Sequence, residues 1–204
     1  MTSAPRPVPL SVAIVLFLAL VAAGCTGGED GPDRSGGPGT SPAAPQSTDD
    51  GRTFEIETRT TMGRVVGRLG PQDRRRLQRT ITGVVQRWFD KAYVGGDYPR
   101  SNFRDAFPGF TPGARDRARG DKLLLTNKGI GRRIDDVTAT RSRLRLDVVS
   151  VRKRPVGVTA RFQLKFRTEG DLTRRIRVKG RLMLTRQASG WRIFGYDVAR
   201  GGRA

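Results

Sequence analysis

The chain predicts an α+β domain, helices first and then a run of antiparallel strands. Two observations carry this. Apolar residues recur with a period near 3.6 between Leu77 and Ala92, and with a period of 2 from Leu144 onward. A third observation bounds the domain: residues 26–52 are rich in Gly, Pro, Ser and acids and carry nothing that builds a core.

Residues 1–24 read as an export signal. Arg6 supplies a positive N-terminal region, and Leu10 to Ala23 is an uncharged run containing Ile14-Val15-Leu16-Phe17-Leu18. It is too short to cross ~30 Å of hydrocarbon as a helix, but it suits the apolar core of a signal peptide. Ala22-Ala23-Gly24-Cys25 follows, and Cys25 is the single cysteine of the chain. These residues resemble the lipobox of bacterial lipoproteins, with Ala22 standing where Leu is commoner. The resemblance covers residues 1–25 and implies a diacylated Cys25 as the mature N-terminus, held in the cell membrane on its extracytoplasmic face. Two acyl chains anchor stably where one does not.

Residues 25–52 then read as the lipidated cysteine and a disordered tether. No aromatic or large aliphatic side chain occurs from Thr26 to Arg52, so little apolar surface is available to offset chain entropy. Gly-rich coil scaling gives this length a reach of about 30 Å.

The domain spans residues 53–204. Phe54, Ile56 and Thr58 alternate with Glu55 and Glu57, as a first strand or an ordered lead-in would. Pro71 opens a helix with Asp73 in its first turn, where a negative charge suits the dipole. Leu77, Ile81, Val84, Val85, Trp88, Phe89 and Ala92 form its apolar stripe. Arg75, Arg79, Gln86 and Lys91 form its wet face, and Gly95-Gly96 ends it. Ser101 to Phe107 reads as a short helix, and Thr111-Pro112 caps another that runs to about Leu125. Gly129-Ile130-Gly131 lacks the Lys-Ser or Lys-Thr of a phosphate loop and reads as a turn.

Four strands follow. Leu144, Leu146 and Val148 alternate with polar partners, and Pro155 with Gly157 marks a turn. Val156, Val158, Ala160, Phe162, Leu164 and Phe166 form the clearest strand. Glu169-Gly170-Asp171 turns into Ile176, Val178, Gly180, Leu182 and Leu184, and Ser189-Gly190 turns into the last strand. There the alternation slips between Ile193 and Tyr196, which predicts a bulge near Gly195.

This order, the aromatic-bearing helix that leads into Gly95-Gly96-Asp97-Tyr98, and the closing Gly190-Trp191-Arg192-Ile193 strand resemble the nuclear-transport-factor-two-like (cystatin-like) superfamily over roughly residues 70–200. The likeness implies N-terminal helices packed on a curved, cone-like antiparallel sheet of four or more strands. It also implies an apolar pocket whose wall would draw on Trp88, Tyr93, Phe103, Phe107, Phe162, Phe166, Leu182 and Trp191. The alternative is that these residues fill the core, the commoner fate of aromatic and aliphatic side chains at such spacing.

Charge supplies the remaining signal. The formal net charge is +20, from 39 basic and 19 acidic residues. Arg6 accounts for +1 and residues 26–52, with five acids and two arginines, for −3, which leaves +22 on residues 53–204. Alternation places Arg143, Arg145, Arg161, Lys165, Arg167, Arg175, Arg177, Lys179 and Arg181 on one exposed face. That face reads either as an anion-binding sheet, for anionic lipid, wall polymer or an acidic protein, or as a solvated face coloured by Arg-rich composition. Nucleic acid is not expected, because export removes the face from the cytoplasm and no nucleic-acid motif occurs.

The chain has no His and one Cys, which excludes His-based proton shuttling, intramolecular disulfides and Cys-based zinc sites. Asp90, Asp97, Asp105, Asp147 and Asp197 are the carboxylates available to an acid–base mechanism, and none has a second acid at diagnostic spacing. No cofactor motif is present. The expected function is therefore a non-enzymatic interaction module, accessory to an envelope or transport assembly. Behind it stand a carrier of small apolar ligands and, last, an enzyme with an Asp base.

Overall fold

Five strands form one open mixed sheet in the order β1-β2-β3-β4-β5. They are β1 (Arg59–Val66), β2 (Asp136–Val151), β3 (Arg154–Glu169), β4 (Arg174–Gln187) and β5 (Gly190–Arg203). The computed structural model describes residues 56–203, which all lie within one compact unit, Thr48–Ala204. The expectations for residues 1–24, for Cys25, for the whole tether and for the lead-in up to Glu55 fall outside the described residues.

The four C-terminal strands run antiparallel in sequence order, as the period-2 pattern requires. β1 instead pairs parallel to β2. A parallel neighbour cannot be reached by a hairpin, so the chain makes a long crossover between them. That crossover carries α1 (Pro71–Phe89), α2 (Pro112–Gly120) and α3 (Lys122–Leu125).

α1 starts at Pro71, whose missing N–H costs nothing at that position, and its last turn continues as a π-helical segment, Asp90–Val94. Leu77, Ile81, Val84, Val85, Trp88 and Phe89 are all buried, so the stripe read from the sequence is the buried face. Each such side chain is worth roughly 1.5–3 kcal/mol when fully buried. Thr111 caps α2, its hydroxyl accepting from the Ala114 amide at 3.4 Å.

β1 is tied down by polar groups as well as by Met62 and Val65, which pack against the core. The Thr60 and Thr82 hydroxyls lie 2.7 Å apart, Gln78 donates to the Thr60 carbonyl at 2.7 Å, and the buried Thr58 meets Ser142 at 2.8 Å. At the opposite edge, Ile193 exchanges backbone hydrogen bonds with Gly109 and Thr111, which covers part of β5.

Three expectations are corrected. Ile56 to Thr58 lie outside any strand, and the first strand starts at Arg59, where the chain comes into register with Arg143. Ser101 to Phe107 holds one turn and no helix. There the Asn102 side chain accepts from the Arg104 amide at 3.1 Å, and Arg100 donates to the Asn102 carbonyl at 2.8 Å. These local bonds compete with a helix, while Phe103, Ala106 and Phe107 are still buried. Finally, the β2–β3 turn is made by Arg152 and Lys153, not by Pro155 and Gly157. Val151 pairs with Arg154, and Pro155 already pairs with Ser150 inside β3.

That turn is unusual in its residues. A two-residue hairpin with positive φ at both positions favours Asn-Gly, yet Arg152 has φ 50° and Lys153 φ 63°. Left-handed backbone costs an ordinary side chain roughly 1–2 kcal/mol. The bulge read near Gly195 is present: Met183 pairs with Gly195 and Leu184 with Ile193, so Phe194 stands unpaired between them.

Candidate functional site

The outward face of the sheet is built from cross-strand rows. Arg145, Arg161 and Arg181 face one another across β2, β3 and β4, and the row ends at Asp197 on β5. The next row reads Arg59, Arg143, Gln163, Lys179. Beyond it Arg141, Lys165 and Arg177 align, and then Arg167 with Arg175. All nine sequence-predicted cations thus share one face; Lys165 is half-buried and the others are exposed. β1 and the start of β2 add Arg59 and Arg141.

Directly opposed like charges destabilise a sheet, and these lie within one Debye length of each other. Three of them are screened by acids. Arg161 meets Asp147 at 2.9 Å, Arg181 meets Asp197 at 2.6 Å, and Arg167 meets Glu169 at 2.6 Å. Among the described residues the other six, Arg143, Arg145, Lys165, Arg175, Arg177 and Lys179, have no ion pair. Their charge is left to solvent or to a partner.

Asp147 is held from two sides. Its Oδ1 accepts from the Arg64 amide at 3.0 Å and its Oδ2 from Arg161 Nε at 2.9 Å. Gly63 makes this approach possible, since a Cβ there would lie 2.2 Å from Oδ1. The Arg64 amide first, then the hydrogen bond and charge of Arg161 and the charge of Arg145, hold the carboxyl below its ordinary value of 3.8. A carboxylate depressed in the folded state stabilises it above that ordinary value. The contribution fades as pH falls through the lower folded value. At neutral pH Asp147 is an ionised counter-ion for Arg161, with no proton affinity suited to a general base.

Two open grooves run along this face and meet at Arg145 and Arg161. One, of 360 Å³, is bordered by Arg59, Arg143, Arg145 and Arg161 together with Thr61 and Gln163. The other, of 580 Å³, keeps Arg145 and Arg161, adds Arg64 and Asp147, and is floored at its far end by Val66, Val149, Met183 and Phe194. Phe194 reaches this side because it is the bulge residue, and its carbonyl accepts from Arg117 at 2.9 Å. Such a groove can seat an oxyanion among forked guanidinium donors beside an apolar floor.

The residues expected to line an interior pocket are all buried: Trp88, Tyr93, Phe103, Phe107, Phe162, Phe166, Leu182 and Trp191. Several pack on one another. Trp88 meets Phe162 edge-on at 5.4 Å and Tyr93 at 5.6 Å, and Tyr93 meets Phe166 at 5.9 Å. Phe162 also borders the smaller groove from the sheet. Phe103 lies 4.3 Å beneath the Arg100 guanidinium.

A third cavity, of 320 Å³, lies between Leu123, Ile130, Ile176, Arg174 and Arg200. Arg200 donates to the Thr126 carbonyl and, at 2.9 Å, to Asn127 Oδ1. Asn127 in turn donates to the Tyr93 carbonyl at 2.7 Å and the Tyr98 hydroxyl at 3.0 Å. Burial pulls the Arg200 pKa down and pushes Tyr93 up. With its donors used on carbonyl and amide oxygens, this network ties β5 to the crossover. Arg200 alternates in phase with Tyr196 and Val198 and pairs with the buried Val178, a period-2 signal for the inward face that sequence reasoning passed over.

Asp90, Asp97, Asp105 and Asp197 are exposed and Asp147 is half-buried. Among the described residues no group of three His, Cys, Asp or Glu side chains is placed to hold a metal ion, and no helix is long and apolar enough to cross a membrane. Sequence reasoning also missed Arg59, Arg64 and Arg141 on the charged face and Phe194 beside it. The signal for the first two was present in Arg59-Thr60-Thr61-Met62-Gly63-Arg64-Val65-Val66, which is β-branched and flanked by glycine. No family model, curated protein or solved structure matches the chain.

Proposed function

We propose that this protein is a lipid-anchored, extracytoplasmic interaction module whose sheet presents a cationic face to an anionic surface. The observation that carries the reading is the set of cross-strand cation rows, eight of whose eleven cations have no ion pair among the described residues. A sheet that keeps like charges in register loses stability by doing so, and an anionic partner recovers it. Cys25, at the end of the apolar export run, supplies the anchor in this reading. The finer fold reading, a cone of the nuclear-transport-factor-two-like kind, belongs to the same proposal and rests on the order of helices and strands.

The carrier reading is less well supported. The aromatic side chains that would line its pocket are buried against each other, and the two larger grooves open on the charged face instead. The test has two arms. Residues 48–204, which contain every described strand and helix, are expected to sediment with vesicles containing phosphatidylglycerol at low ionic strength and to be released at 0.5–1 M salt, where the Debye length falls to about 3–4 Å. In cells, Cys25→Ala is expected to leave the membrane fraction or to accumulate unprocessed. Salt-independent retention removes the electrostatic reading, and unchanged mass and fractionation of the variant remove the anchor.

A further inference from the structure

Six large apolar side chains are exposed among the described residues, and five of them crowd one end of the sheet. Val66, Val149, Val151, Val156 and Phe194 are each at least 44% exposed, and they surround the β2–β3 turn and the adjoining end of the larger groove. Single exposed apolar residues are ordinary, but a cluster of five is not. The cluster is rimmed by cations. Arg152, Lys153 and Arg154 form the turn and its shoulder, and Arg64, Arg145 and Arg161 border the groove behind it. Two of these cations occupy left-handed positions that favour Asn or Gly, so the tip keeps its charge against the local backbone preference.

We propose that this end of the sheet inserts into the anionic leaflet of a lipid bilayer, Val149, Val151 and Phe194 among the acyl chains and the surrounding guanidinium groups at the phosphates. The proposal rests on the anionic-surface reading above and names its partner as lipid. A soluble polyanion offers nothing to the apolar tip, whereas a leaflet offers phosphate and hydrocarbon within a few ångströms of each other. A second copy of this chain is a poorer occupant, because a two-fold pairing through this face sets cation against cation. The chain between Cys25 and Ile56, about 30 residues, spans up to about 100 Å when extended, so an anchored domain reaches its own leaflet.

The test uses the full lipidated chain carrying Phe194→Trp, reconstituted in vesicles whose acyl chains are brominated, with the unsubstituted chain as the background for Trp88 and Trp191. In phosphatidylglycerol vesicles the added tryptophan is expected to lose at least half its emission, and in phosphatidylcholine vesicles to lose little. Val151→Asp in the same background is expected to reduce the quenching several-fold. Salt-sensitive sedimentation of residues 48–204 without quenching in anionic vesicles leaves the cationic-face reading standing and overturns insertion. Loss of both overturns the two together. A concentration-dependent dimer that Phe194→Ser abolishes, again without quenching, assigns the tip to a second copy and overturns the lipid partner.

Discussion

Trp88→Ala is expected to lower the unfolding free energy by about 3–5 kcal/mol, the range for emptying a large aromatic site in a core. Trp88 is fully buried in the last turn of α1 and touches Phe89, Tyr93, Phe110 and Phe162, which come from the helix, the π-helical segment, the crossover loop and β3. A cavity at that position strips contacts from every layer at once, and rigid neighbours cannot close it. A loss of this size is a large share of the 5–15 kcal/mol that folds an ordinary domain. Urea denaturation of residues 48–204 followed by circular dichroism measures it. A change below about 1 kcal/mol would mean that the aromatic cluster is looser than the ring distances indicate.

The second large effect concerns the face. Replacing Arg143, Lys165, Arg177 and Lys179 together by Gln is expected to weaken binding to phosphatidylglycerol vesicles by about a thousand-fold. Each cation near an anionic leaflet is worth about 1 kcal/mol, and each 1.4 kcal/mol is a factor of ten. These four are chosen because none has an ion pair among the described residues, so no acid is orphaned by the change. Three of the four also face another cation across the sheet, Arg143 opposite Arg59 and Lys165 opposite Arg177. Stability is therefore expected to stay level or to rise, opposite in sign to the binding loss. A vesicle titration paired with a urea melt separates the two. Equal loss of fold and binding would show that the residues support the sheet rather than serve a partner.

Much of the domain was legible because its signals are periodic. The Leu77–Phe89 stripe and the alternation from Val158 to Phe166 each bury one face, and period decides which residues share that face. The same alternation put nine cations on the other side. What escaped is non-local or locally frustrated. β1 exists because Arg59 to Val66 finds a parallel partner about eighty residues away, a pairing that no window of sequence contains. Ser101 to Phe107 has helical apolar spacing but yields to the Asn102 side chain. The β2–β3 turn was displaced because Pro155 and Gly157 carry the usual turn chemistry, while Arg152 and Lys153 accept left-handed backbone without it. The apolar tip was missed with β1 and the turn, since it needs both of them beside the β5 bulge that the sequence did show.

The orientation of the anchored domain at the bilayer tests the account most directly. A donor fluorophore attached at Arg177→Cys, on the charged face, is compared with one at Arg79→Cys, on the wet side of α1, each in the lipidated chain on phosphatidylglycerol vesicles bearing a surface acceptor. Energy transfer is expected to be much stronger from position 177 at low salt, and the difference is expected to collapse as salt is raised. Equal transfer from both positions at every ionic strength would contradict docking through the sheet.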